Sequence, residues 1–142
     1  MTQFDRVLVL DNDCIALRNL DELPTSVPTP AAACHPRRRF QLCSFNFGVH
    51  VLAPSQEQAA RLVRTYTTRR SANNGGEQEA WANFHEAVNE AVNELPIGFN
   101  AHRGLQMDDE DWRRVHVVHA ISGYSTNRMP TFLRERIRAF ET

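Results

Sequence analysis

"VLVLDNDCIALRNLDEL", residues 7–23, opens with an unbroken apolar run, Val7 to Leu10, and then sets Asp11 and Asp13 one residue apart. A solid apolar run of this kind predicts a parallel strand covered on both faces, and in open α/β sheets ligands sit beyond the carboxyl ends of such strands. The two carboxylates stand where chemistry is expected.

Working outward, 142 residues make a single domain, long enough to bury roughly two thirds of its unfolded surface. A formal net charge of -1, with 42% hydrophobic and 23% charged residues, creates no bulk field that would draw the chain to nucleic acid or anionic lipid. No apolar stretch approaches the length of a membrane span, and Met1 is not followed by the basic and apolar segments of a signal peptide, so a soluble cytoplasmic protein is expected. Cys14, Cys34 and Cys43 are odd in number and irregularly spaced, which reads as reduced, idle thiols. A zinc site from Cys34, His35 and Cys43 matches no usual spacing.

Elements alternate along the chain. "RNLDELPTSVPTP" is a short helical turn running into loop, "AAAC" a short strand, and "RRR" at 37–39 a solvated loop. Phe45 to Ala53 alternates as a strand halted by Pro54. Ser55 and Gln58 form a capping box for a helix whose inner face carries Ala59, Leu62, Val63 and Tyr66. After turn material at 69–76, Trp81, Phe84, Val88, Val92 and Leu95 recur at helical spacing and predict the longest helix of the chain, packed into the core. "LPIGFNAH" is extended, "DDEDWRR" an acidic-started helical turn, and "VHVVHAI" a buried strand ending near His119. Residues 130–140 fit a terminal helix with Phe132, Leu133, Ile137 and Phe140 inward. This order predicts an α/β fold.

Two carboxylates at i and i+2 can point the same way at a strand end and offer hard oxygen ligands to a divalent cation. Magnesium and manganese keep open positions that phosphate oxygens fill, so such a pair suits a metal carrying a diphosphate; an acidic turn capping the next segment is the plainer alternative. His119 is an acceptable ligand for manganese, or else a hydrogen-bonded core histidine. If the two buried strands are parallel neighbours, it shares one rim of the sheet with the aspartates. "NNGGEQ" joins a flexible backbone to a helix start, where free N–H groups favour anionic atoms; a glycine turn with a dipole-matched Glu77 explains it equally well. "FNFG" reads alternatively as a bulge at Gly48, with Asn46 satisfying backbone groups.

Taken in order and spacing, these pieces resemble glycosyltransferase family 8, the glycogenin and galactinol synthase group. "FDRVLVLDNDCIALRNLDEL" is similar to that family's strand, D-x-D and "NIDEL" continuation, and "FNFGVHVLAPS" to its F-N-[small]-G-V strand and following helix. "NGGEQ" resembles D-G-G-D-Q, "LPIGFNA" the L-P-x-x-Y-N segment, and "VVHAISG" the terminal V-I-H strand. The resemblance covers Phe4 to about Gly123 and implies a GT-A type, Rossmann-like fold. It implies retaining transfer of a hexose from a UDP-sugar to a carbohydrate or protein acceptor, with Mn2+ or Mg2+ bridging enzyme and diphosphate. Asp11, Asp13 and His119 would hold the metal. Asn46, Gly48, Gly75, Gly76 and Asn100 would line the donor, with Glu77 and Gln78 close to the reacting carbon.

Departures from the family pattern fall in the same motifs. Asn74 and Glu77 replace the two aspartates of D-G-G-D-Q, Phe47 fills a place usually held by a small residue, and the K-P-W after the histidine is missing, with Arg128 placed to act as a phosphate contact. The family's N-terminal portion, which forms the first strands and most of the uridine pocket, has no counterpart before Phe4. The chain is therefore expected to correspond to the metal and acceptor side of the fold, with a strand edge open to pairing, either with a second copy or with the missing portion. The alternative function is a truncated relative that binds without turning over. A generic nucleotide hydrolase is a third reading, disfavoured because no water-activating base stands apart from the motif.

Overall fold

The apolar run at 7–10 forms β1 (Val7–Leu10), which lies at the edge of a four-stranded sheet. The computed structural model describes residues 3–36, 43–68, 76–102, 107–119 and 129–139, and of residues 34–36, 43–44 and 77 the backbone alone. From the β1 edge the sheet continues through β4 (Cys43–Leu52) and β3 (Ala31–Pro36) to β5 (Asn93–Leu95). β4 runs antiparallel to both β1 and β3, whereas β3 and β5 are parallel. The architecture is a mixed sheet in an α/β chain.

The expectation of a parallel strand covered on both faces is corrected here. β1 is antiparallel, has one strand neighbour among the described residues, and is half-buried, with Leu10 38% exposed. An apolar run reports that side chains leave water, not which neighbour takes them up. Leu8 leans on the core cluster of Leu23, Ala31, Ala33, Val49, Val51, Leu95 and Val117. Val7, Val9 and Leu10 line an open cavity of about 750 Å³, whose other walls include Leu62, Trp81 and Phe84.

A second, two-stranded sheet pairs β2 (Cys14–Ala16) antiparallel with β6 (Val117–His119). Alternation along β6 sends Val117 into the first core and Val118 into a second, formed with Leu17, Ala101, Trp112, Val115, Met129, Leu133 and Ile137. The small sheet is thus held between two apolar masses. Each buried Leu, Val or Ile side chain there contributes on the order of 1.5–3 kcal/mol.

The short turn α1 (Leu23–Ser26), β3 and β4 match their sequence readings closely, whereas β2 and β5 are strands that the sequence reading does not contain. α2 (Gln56–Thr68) starts where Ser55 Oγ accepts the Gln58 N–H at 3.3 Å. Its expected inner face is not sealed: none of its residues is buried, and Val63 and Tyr66 are 62% and 53% exposed. α3 (Glu77–Val88) is shorter than the periodicity predicts, so that α2, at 13 residues, is the longest helix described. Asn89 ends α3 in the left-handed conformation (φ 52°), and Leu95 belongs to β5 instead. Asparagine tolerates that conformation because its short polar side chain bonds locally.

A 3-10 turn at Ile97–Phe99 replaces the extended piece expected there. α4 (Asp109–Arg113) carries a full capping box: Asp108 Oδ1 accepts the Asp111 N–H at 2.8 Å, and Asp111 Oδ2 accepts the Asp108 N–H at 3.3 Å. α5 (Thr131–Arg138) buries Leu133 and Ile137 as expected, while Phe140 lies outside the described residues. No helix among the described residues is long and apolar enough to cross a membrane.

Between α3 and β4 lies a ring cluster of Phe47, His50, Trp81, Phe84 and His85, with His85 stacked on both Phe47 and Trp81. Burial holds His85 below its ordinary pKa of 6.5, and the Glu90 carboxylate at 3.1 Å offsets this only in part. The unfolded chain therefore takes up this proton at a higher pH than the folded one, so stability is full above 6.5 and falls as pH drops below it. Burial and Arg18 push His116 the same way. The urea midpoint is expected to be lower at about pH 5.5 than at about pH 7.5, with a smaller drop in His85→Gln.

Candidate metal site at the Asp11–Asp13 turn

The chain leaves β1 through a turn. Asp11 is still in register with β4, its N–H bonded to Gly48 O at 2.8 Å, and the Cys14 N–H then bonds back to Asp11 O at 3.0 Å. This four-residue turn carries the chain out of the large sheet and into β2, with Asn12 between the two aspartates. Aspartate and asparagine suit such a turn because their side chains stabilise its backbone, so the D-N-D spelling and the change of sheet have one cause.

β2 then brings the partner. Cys14 is paired with His119 across β2 and β6, which sets His119 Nε2 3.1 Å from Asp13 Oδ1 and 3.6 Å from Asp11 Oδ2. The expected common rim exists, but its origin is corrected: β6 is not a parallel neighbour of β1, and it reaches the aspartates through antiparallel pairing with β2.

His119 is oriented from behind. The backbone N–H of Gly48 can only donate, so its partner at 2.9 Å is Asn46 Oδ1. The atom of Asn100 that lies 2.8 Å from that same oxygen must in turn be its NH2, which also donates to Asn46 O at 3.1 Å. Asn100 Oδ1 is thereby turned to His119 Nδ1, 2.9 Å away, and the proton sits on Nδ1. With the ring so held, it is Nε2 that faces the two carboxylates. Both carboxylates approach a histidine fixed from its far side, an arrangement that can serve a divalent cation, although Asp11 stands outside the set of ligand atoms that lie within 4.8 Å of one another. Two hard oxygens and one nitrogen fit manganese or magnesium.

Gly48 makes room for this. A Cβ at that position would lie 2.3 Å from His119 Cε1 and 2.6 Å from Nδ1, so only glycine lets the ring lie against the strand. The ladder is irregular there: Ala32 pairs with His50 but Ala33 with Asn46, which leaves residues 47–49 of β4 unmatched on β3. Bulges of this kind re-aim side chains beside functional sites.

One neighbour of these groups has no site role in the reading of the sequence. A carboxylate oxygen of Asp13, Cys14 Sγ and a ring nitrogen of His119 all lie within 4.8 Å of one another. Sγ is 3.4 Å from Gly48 O, and burial, followed by the Asp11 charge, pushes the thiol pKa up to about 12. The signal was present: Cys14 directly follows the second aspartate, at the first position of the strand that pairs with His119.

The remaining residues expected to line a donor divide. Asn46, Gly48 and Asn100 stand behind His119, and Asn100 is wholly buried. Gln78 ties α3 to the irregular part of β4, accepting the Phe47 N–H at 2.8 Å and donating to Phe45 O. Glu77 opens α3, and Gly76 is that helix's exposed N-cap, with open space where a Cβ would go. Gly75 and Arg128 lie outside the described residues, as do the arginines at 37–39. No model of a known protein family matches the chain, and no curated protein matches it.

Proposed function

We propose that the chain is a metal-dependent glycosyltransferase of GT-A type, which takes a hexose from a UDP-sugar and passes it to a carbohydrate or protein acceptor. The observation that carries this reading is the convergence of Asp13 and Asp11 on His119 Nε2, at 3.1 and 3.6 Å. The ordered motif resemblance supplies the substrate class. Asp11 and Asp13, each about one third exposed, and the buried His119 would hold manganese or magnesium. The ion would supply positive charge to a departing diphosphate, the main electrostatic task when a glycosidic bond breaks.

The chain's own residues do the positioning. Asn100 and Asn46 keep the Nδ1 proton in place and Nε2 forward, while Gly48 gives the ring its seat. The donor sugar would lie on the exposed side of the carboxylates, toward the start of α3. A second reading, nucleotide binding without transfer, is favoured by Gln78: both ends of its amide are bonded to the β4 backbone rather than turned to a substrate.

Calorimetry of UDP with the intact protein tests the proposal. Manganese is expected to strengthen UDP binding at least about tenfold, equivalent to about 1.4 kcal/mol. No nucleotide binding with or without the ion would overturn it. Binding without hydrolysis or transfer across a panel of UDP-sugars would select the second reading.

A further inference from the structure

Donors of different softness meet where β2 begins. The Asp13 carboxylate, Cys14 Sγ and His119 nitrogen lie mutually within 4.8 Å. A single ion bonded to nitrogen, oxygen and sulfur at about 2.0–2.3 Å needs its ligand atoms roughly 3–4 Å apart, so small side-chain rotations complete the set. Cys14 is kept there by its backbone, as the strand partner of His119, and by the Sγ contact to Gly48 O at 3.4 Å. The orientation of His119 by Asn100 serves any ion bound at Nε2.

We propose that Cys14 is a ligand for thiophilic divalent ions, so that this site takes Zn2+ or Co2+ through Asp13, Cys14 and His119, a mode that manganese and magnesium do not use. The inference rests on the proposed metal site and deepens it by naming how ions are discriminated. Hard ions are served by carboxylate oxygens, whereas thiolate selects the softer ones. On binding, the S–H bond breaks, its proton passes to solvent, and the sulfur electron pair forms the metal bond; no oxidant takes part. Asp11, 3.6 Å from His119 Nε2 but outside the 4.8 Å cluster, supplies a fourth ligand once its partly exposed carboxylate turns inward. A four-ligand tetrahedral shell is closed and leaves no position for phosphate oxygens, so zinc is expected to oppose UDP binding where manganese promotes it.

Cobalt titration of the intact protein followed by absorption is the test. Co2+ is expected to produce a thiolate-to-metal charge-transfer band in the near ultraviolet, abolished in Cys14→Ser and discharged by added zinc. Cys14→Ser is expected to weaken zinc and cobalt binding at least about tenfold while leaving manganese binding within about twofold. Cys14→Ala, which adds no polar atom at this half-buried position, repeats the measurement if the serine variant folds poorly. Cobalt bound with no such band, or zinc affinity unchanged in both variants, overturns this inference and leaves the manganese site standing. A folded protein that binds no divalent ion overturns both.

Discussion

Asp13→Ala is expected to remove the manganese-dependent part of UDP binding entirely, a loss of at least about tenfold in affinity with the ion present, equivalent to about 1.4 kcal/mol. Asp13 Oδ1 is the carboxylate oxygen nearest His119 Nε2, at 3.1 Å, and Asp13 also belongs to the cluster with Cys14. Without it the imidazole faces a single carboxylate, and the charge that would balance a divalent ion is halved. Asp11→Ala is expected to cost less, because Asp11 stands farther off, at 3.6 Å. Folding is expected to survive both changes, since these side chains are about one third exposed and sit in a turn. Asp109→Ala, at the exposed start of α4, serves as the control for loss of one negative charge. Calorimetry with and without manganese gives the comparison, and a full manganese effect in Asp13→Ala would remove Asp13 from the site.

Gly48→Ala combines a stability loss with a site defect. The added methyl would overlap the His119 ring, at 2.3 Å from Cε1, and also lie 3.0 Å from Asn46 Oδ1. Neither neighbour can yield freely, because Asn46 is bonded to Gly48 N and Asn100, and Asn100 to His119. Overpacking of this kind costs about 1–3 kcal/mol, and displacing the ring adds the hydrogen bond to Asn100, about 1 kcal/mol more. Urea unfolding should show the loss, and manganese affinity should fall with it. Gly76→Ala, where nothing lies within 4 Å of the added carbon, should leave the metal site untouched. Wild-type stability and wild-type ion affinity in Gly48→Ala would show that His119 is not held as described.

The position of β1 marks the limit of pattern reading. Val7 to Leu10 are apolar without a break, and the same spelling serves a central parallel strand or an edge strand with a cavity on one side. The structure makes it the second of these, antiparallel to β4. The end of α3 shows another limit: Val92 and Leu95 continue the helical spacing, but Asn89 breaks the backbone and Leu95 enters the sheet beside β3. Spacing records burial, and a residue buried in a strand can fall on a helical repeat by accident.

Local events were legible in the residues alone: the acidic start of α4, the halt of β4 before Pro54, the buried faces of β6 and α5, and an acidic turn closing an apolar strand. These follow from backbone preferences and side-chain transfer from water, which act over a few residues. That Cys14 stands opposite His119, that Asn100 and Asn46 hold that ring, and that Gly48 is its seat emerged from the folded chain. Those contacts join positions far apart in the chain. Their existence depends on which strands pair and in what register, a choice made by the summed packing of two cores rather than by any stretch of sequence alone.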